Sequence, residues 1–322
     1  GCLGAAAIAS KLMGLSEDQL RVAMGLSASM TGGLGANNGM MAGYVVSATA
    51  ARNGVVSAQL AAAGCTANPS ILEATRGYYE LFFGVEGYEL WRVTASLGRP
   101  YHVQSPGIGL KLYPSGWLLH HTFDAALKLV QAQRITPEQV EEMEIGIPNE
   151  RYFLNRAVVT TGVMSRYSLQ YHAVLAVLDQ KLEIHSFTDE RALATDAQEM
   201  LKKVRMRVDP TMTDNLDLLQ NPVTIRLKDG RSFTAQEDMP KSHWRYNLPR
   251  AEWLAKFRTC AGLVLRNAQV EKVIQTVDRL VRERIARGVP RSGILDITIE
   301  ECGLSRIPLS GLVQRLHQSN LL

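Results

Sequence analysis

The chain has 322 residues, 46% of them apolar and 20% charged, with a formal net charge of +4. That length exceeds one compact core and predicts two domains of ordinary globular character. The positive balance suits small anions but is too weak and dispersed for a nucleic-acid surface, since no Lys/Arg run interleaves with aromatic residues.

Cys2, Cys65, Cys260 and Cys302 are far apart and form no C-x-x-C pair. Free thiols in a reducing compartment are therefore expected rather than a disulfide framework. No leader with a cleavage site and no apolar, uncharged run of about 18 residues is present, so no membrane partner is expected and the cytoplasm is the expected location. The opening "GCLGAAAIASKLMGL" has no initiating methionine and already follows a helix-like pattern. An upstream portion is expected to be absent, leaving apolar helix faces open near residues 1–60 and favouring self-association.

Ser16 with Gln19 forms a capping-box signature for a helix over 17–29. "TGGLGANNG" (31–39) breaks it, and the pattern from Met40 to Ala63 is rich in Ala, Val and Ser, which lets helices approach closely. The break lacks G-x-G-x-x-G spacing, follows no strand and has no acidic residue at the ribose distance, so it reads as a helix-breaking loop. Residues 1–97 read as helical throughout.

From Tyr101 the texture changes. "PYHVQSP" and "GIGLKLYP" read as short extended pieces, then His121 to Gln131 reads as helix. Thr136-Pro137-Glu138-Gln139 combines a cap, a proline at the first helical position and a box residue. It precedes "VEEMEIGIP", where Met143, Ile145 and Ile147 alternate as in a half-buried strand. "SLQYHAVLAVL" (168–178) is a short apolar helix; "KVRMRVDP" and "VTIRLKDGRSFTA" are strands, the latter turning at Asp229-Gly230. Residues 98–245 thus form an α+β unit inserted after a helical one. Helices return over 249–265 and 267–286, so 246–287 rejoins the helical domain. Residues 288–322, with a candidate strand "ILDITI", form an extension of unassigned role.

The chain has no H-E-x-x-H, no paired cysteines and no carboxylate cluster at ligand spacing, so no dedicated metal site is expected. His120 and His121 are adjacent and fall on different faces of a helix. No G-x-S-x-G elbow marks a serine nucleophile. What remains is a set of polar residues on apolar backgrounds: Lys111, His120, Arg166, Tyr171 and His172. Lys111, inside "GIGLKLYPSG", is the sharpest. A lysine among apolar neighbours loses hydration, so its ammonium either snorkels to water or meets an anion. Taken singly, each of the five has an ordinary structural explanation.

Five segments, in order, together resemble the MmgE/PrpD family of 2-methylcitrate dehydratases, cis-aconitate decarboxylases and iminodisuccinate epimerases. They are "GAAAIASKLMGLSEDQL", "AARNGVVSAQLAAAGCTANPSILE", "GIGLKLYPSGWLLHHTFDAAL", "SRYSLQYHAVLAVLD" and "PKSHWRYNLPRAEWLAKFR". The third resembles the family's lysine-plus-Tyr-Pro segment, the fourth its Ala-Lys-Phe-Ser-x-x-Tyr motif, and the likeness runs over about the first 285 residues. It implies a mainly α fold, a helical domain carrying an α+β lid, in a homodimer with a cofactor-free site between domains. It also implies a di- or tricarboxylate substrate and proton abstraction from carbon beside a carboxylate.

On that resemblance Lys111, His120 and Tyr171 are the candidate catalytic residues, and Arg166, His121 and Ser168 the candidate substrate contacts. Lys111, Arg166 and His120 would neutralise carboxylates; Lys111 would also stabilise enolate-like charge, and Tyr171 would donate a hydrogen bond or carry a proton. Aligned back from "AARNG", however, Gly43 and Val46 stand where the family has a lysine and a histidine. Two expectations follow: a diverged lyase or isomerase that still handles a polycarboxylate, or a catalytically impaired relative that binds carboxylates or dimerises.

Overall fold

The computed structural model describes residues 1–98, 100–101, 105, 107, 109–149, 152–213, 215, 220–237, 240–241, 243 and 248–286. The extension 288–322, its "ILDITI" and Cys302 lie outside the described residues, as does part of "PYHVQSP". Cys2, Cys65 and Cys260 are free.

Three helices begin the chain: α1 (Cys2–Leu12), α2 (Glu17–Ser29) and α3 (Ala42–Ala62). The capping box forms, with Gln19 N–H donating to Ser16 Oγ at 3.2 Å and Ser16 N–H to Gln19 Oε1 at 3.0 Å. The helices meet through small side chains, and Ala9, Ala23, Ala58 and Ala61 make the buried cluster. Gly54 permits the α1–α3 approach: a Cβ there would lie 2.4 Å from the Ala5 Cβ and 2.6 Å from the Cys2 carbonyl oxygen. Alanine contacts bury little area, and large apolar side chains such as Ile8, Leu12, Met41 and Val45 stay exposed.

The helical reading of 1–97 is interrupted. Gly64, at φ +88°, follows α3, and Asn68 Oδ1 accepts from Ser70 N–H, so residues 63–77 run as turns. Two short helices, α4 (Tyr78–Phe83) and α5 (Leu90–Thr94), leave Phe82, Phe83 and Trp91 exposed.

The largest core lies farther along. Helix α6 (His120–Gln133) ends at Arg134, whose φ of +52° turns the chain back. Pro137–Gln139, capped by Thr136, makes a single 3₁₀ turn rather than an α-helix, and β1 (Val140–Ile147) follows with Met143, Ile145 and Ile147 buried. Then come α7 (Gly162–Ser165), α8 (Leu169–Leu178), α9 (Asp189–Ala192) and α10 (Thr195–Leu201). Strands β2 (Val204–Val208), β3 (Val223–Leu227) and β4 (Ser232–Ala235) complete a four-stranded sheet in the order β2-β1-β3-β4.

The β1–β2 pair is parallel, so a crossover must join it, and α7 to α10 supply that crossover. Helices α7, α9 and α10 had no counterpart among the expected elements. The β3–β4 hairpin turns where expected, with Gly230 at φ +88° and Asp229 Oδ1 accepting from Arg231 N–H. The polar face of the sheet carries cross-strand ion pairs, Glu142 with Arg205 and Glu144 with Arg207. Helices α6 and α8 pack on each other and against the sheet. The "GLKLYP" stretch forms no strand. Helices α11 (Arg250–Ala261) and α12 (Asn267–Ala286) close the described chain around Leu254, Val270 and Ile274.

The described chain is therefore helical with a small mixed sheet. Among its residues no helix is long and apolar enough to cross a membrane.

Candidate functional site

Two features stand out, a cluster of basic groups at the head of α6 and a cleft beside α3. Lys111 is exposed, and its carbonyl oxygen accepts from the Lys256 ammonium, which α11 brings in across 145 residues of sequence. His120, fully buried, opens α6 and meets the Tyr113 ring edge-on at 5.0 Å between centroids. Tyr113 in turn donates to Asp124 Oδ1 at 2.6 Å. Burial pushes the His120 imidazole down to about 2, and His172, Lys111, His121 and Lys256 push the same way. It is neutral at any physiological pH. Burial also lowers the Lys256 ammonium; the Cys260 thiol one turn on opposes that shift and Lys111 adds to it.

His172, on α8, has a fixed tautomer. Its Nδ1 lies 2.8 Å from the Ser168 carbonyl oxygen, which can only accept, so Nδ1 carries the proton. Nε2 then accepts from Ser115 Oγ at 2.9 Å. The arrangement has the outline of a serine–histidine pair. Burial holds the imidazole down at about 4, against the raising effect of the Ser168 bond, so it is too weak a base to deprotonate an ordinary hydroxyl. Its effect is to orient the Ser115 hydroxyl.

The cleft has a volume of about 910 Å³ and runs between residues 39–45 and the 161–190 region. Met40, Met41, Val45 and Phe187 give it apolar walls. Arg166, from the turn after α7, is its cation, with Nη1 donating to the Tyr44 hydroxyl at 3.3 Å. Its Nε is buried without a hydrogen-bond partner among the described residues. Asp189 and Glu190 also line the cleft; Asp189 Oδ1 accepts from Gly162 N–H at 2.7 Å.

The remaining candidates are committed elsewhere. The Tyr171 hydroxyl donates to the Ser186 carbonyl at 2.8 Å, and the charges acting on it are Arg191, Asp179 and Asp196. His121 Nε2 pairs with Asn221 Oδ1 at 3.1 Å, while Asn221 Nδ2 donates to the Gly146 carbonyl, so this histidine ties α6 to β1. Ser168 caps α8: its Oγ accepts from Tyr171 N–H and donates to the Arg156 carbonyl. Thus the structure brings Lys111 and His120 together, sets Arg166 in the cleft, and places Tyr171, His121 and Ser168 in the internal bonding of the fold.

Gly43 and Val46 serve packing. A Cβ on Gly43 would lie 2.9 Å from the Asn37 carbonyl oxygen, and Val46 Cγ1 fills the space above Gly33, itself at φ +105°. Lys256 and the Ser115–His172 bond were not foreseen. Lys256 carries the signal that marked Lys111, a lysine in an apolar stretch, here "EWLAKF". Nothing local foretells that Ser115 meets His172, 57 residues away.

Comparison with known proteins gives a consistent result. The family model described as the MmgE/PrpD N-terminal domain matches residues 1–90, and the MmgE/PrpD C-terminal domain matches residues 113–280. Curated relatives include cis-aconitate decarboxylase of Mus musculus, 29% identical over 287 residues, covering 87% of this chain and 58% of the relative. The Homo sapiens protein of that name is 28% identical over 285 residues, with the same coverage. That of Aspergillus terreus (strain NIH 2624 / FGSC A1156) is 26% identical over 315 residues, covering 87% and 61%. The chain spans about three-fifths of the length of these relatives.

Proposed function

The chain belongs to the MmgE/PrpD family, and on that premise we propose that it is a lyase- or isomerase-type protein acting on a small di- or tricarboxylate without a cofactor. The observation that carries the reading is Arg166. It is the cation lining an apolar-walled cleft, with a neutral hydroxyl on Nη1 and no ion pair among the described residues, and a guanidinium so placed can take a carboxylate in a charge-assisted bond. Relatives named cis-aconitate decarboxylase fit a polycarboxylate.

The chemistry is removal of a proton from carbon beside a carboxylate, followed by loss of water or carbon dioxide or by reprotonation. The Lys111 ammonium stabilises the enolate-like charge. His120, being neutral, can donate or accept a hydrogen bond but supplies no charge. Residues 1–97 act as the body, 98–245 as the lid, and 246–287 rejoin the body. Exposed apolar side chains on α1, α4 and α5 favour a homodimer. A second reading, a relative that binds carboxylates without turnover, draws on the internal commitment of Tyr171.

Thermal denaturation with citrate- and aconitate-type acids tests the proposal. A ligand at about 100 times its Kd adds about 2.7 kcal/mol to the folded state, a rise of a few degrees in Tm. Lys111→Ala and Arg166→Met should each reduce the rise. Release of carbon dioxide, loss of water or inversion then distinguishes turnover from binding alone. A melting curve unmoved by every di- and tricarboxylate refutes the substrate class.

A further inference from the structure

Lys256 is the basic residue of the cluster that the proposed function leaves unused. We infer that it is the second cation of the Lys111 site and makes that site selective for ligands with two carboxylates; this rests on the polycarboxylate reading above.

The geometry begins with the bond from the Lys256 ammonium to the Lys111 backbone carbonyl, and the Lys111 charge acts on that ammonium. Like charges so placed repel unless an anion lies between them. Among the described residues, neither lysine makes an ion pair. Two carboxylates, Glu183 and Glu252, line the same pocket as Lys256. Lys181 is neutralised by Glu183 at 2.9 Å, and Glu252, one turn before Lys256 on α11, forms no ion pair among the described residues.

Lys256 also lines a pocket of about 320 Å³ between α6, the 180–184 turn and α11, whose walls include Tyr113, Phe123, Leu127 and Leu182. That volume is at the small end of ligand sites. It shares no lining residue with the Arg166 cleft. Lys111 immediately precedes Leu112, which lines this pocket, so a dicarboxylate can set one carboxylate on Lys256 and reach out with the other to Lys111. An ammonium partly out of water gives a stronger charge-assisted bond than an exposed one. The second carboxylate therefore gains more from Lys256 than from bulk cations, while a monocarboxylate is satisfied by Lys111 alone.

The test is calorimetric titration of the full chain with a matched pair, glutarate and butyrate, in wild type, Lys111→Met, Lys256→Met and Lys256→Arg. Lys256→Met should weaken glutarate by about tenfold and change butyrate by less than about twofold. Lys256→Arg keeps the charge and should retain glutarate binding, and unliganded melting curves check that each variant folds. If glutarate binds the wild type and Lys111→Met weakens it but Lys256→Met does not, the second-cation role is overturned and the polycarboxylate reading stands. Equal losses for glutarate and butyrate in Lys256→Met also overturn the selectivity. If no dicarboxylate binds the wild type, both readings fall together.

Discussion

Lowering the pH should destabilise this protein steeply, because its buried histidines refuse protons. His120 and His172 both start from an ordinary value of 6.5 and are held at about 2 and about 4 in the folded chain. Well above pH 6.5 neither the folded nor the unfolded state binds these protons, so stability is at its full value. As pH falls below 6.5 the unfolded chain takes them up and the folded chain does not, and stability drains away toward the folded values. At about pH 5 each imidazole contributes a loss of RT ln(1 + 10^1.5), roughly 2 kcal/mol, and the two together about 4 kcal/mol. Against a total stability of about 5–15 kcal/mol, that is a large share. Urea denaturation at about pH 7.5 and pH 5 measures the loss. His172→Gln isolates one term, since an amide can donate to the Ser168 carbonyl and accept from Ser115 without titrating. The pH-dependent loss should shrink by about 2 kcal/mol in that variant, whatever the substitution costs at neutral pH. An unchanged loss would show that His172 is not held neutral in the fold.

Two further substitutions probe the packing. Gly54→Val forces a side chain against Ala5 and the α1 backbone and should cost about 1–3 kcal/mol by denaturant titration; no loss would mean that α1 does not sit there. Tyr171→Phe leaves the Ser186 carbonyl without its donor and should cost about 1–3 kcal/mol of stability with carboxylate binding intact. Loss of binding at unchanged stability would return Tyr171 to the active site.

The features legible in the sequence are those set by local rules. The Ser16 box, the Asp229-Gly230 hairpin and the alternation of Met143, Ile145 and Ile147 depend on neighbours within a few residues, and each forms as expected. Helices α9 and α10 escaped because they are short and carry no sustained apolar period; their role as the β1–β2 crossover exists only once the strands pair in parallel. Family resemblance placed the chain, yet polar residues in recognisable motifs could not be divided by sequence into ligand contacts and internal bonds.

That division follows from hydrogen-bond accounting. Ser168, Tyr171 and His121 are buried, and a buried polar group must find a partner, which each finds in a backbone group or an asparagine of the fold. Not every buried group does so: Ser10 Oγ, Thr122 Oγ1 and Tyr152 Oη have no hydrogen-bond partner among the described residues, and neither has the Nε of Arg166, the cation of the cleft. Lys111 and Lys256 extend the contrast to charge, as two neighbouring cations with no carboxylate paired to them there. A fold that satisfies Ser168, Tyr171 and His121 internally while leaving Arg166, Lys111 and Lys256 without an ion pair among the described residues has separated these candidates into groups that hold it together and groups available to an anion. The separation depends on partners 12 to 145 residues apart, from Ser168–Arg156 to Lys111–Lys256, which is why spacing along the chain could not reveal it.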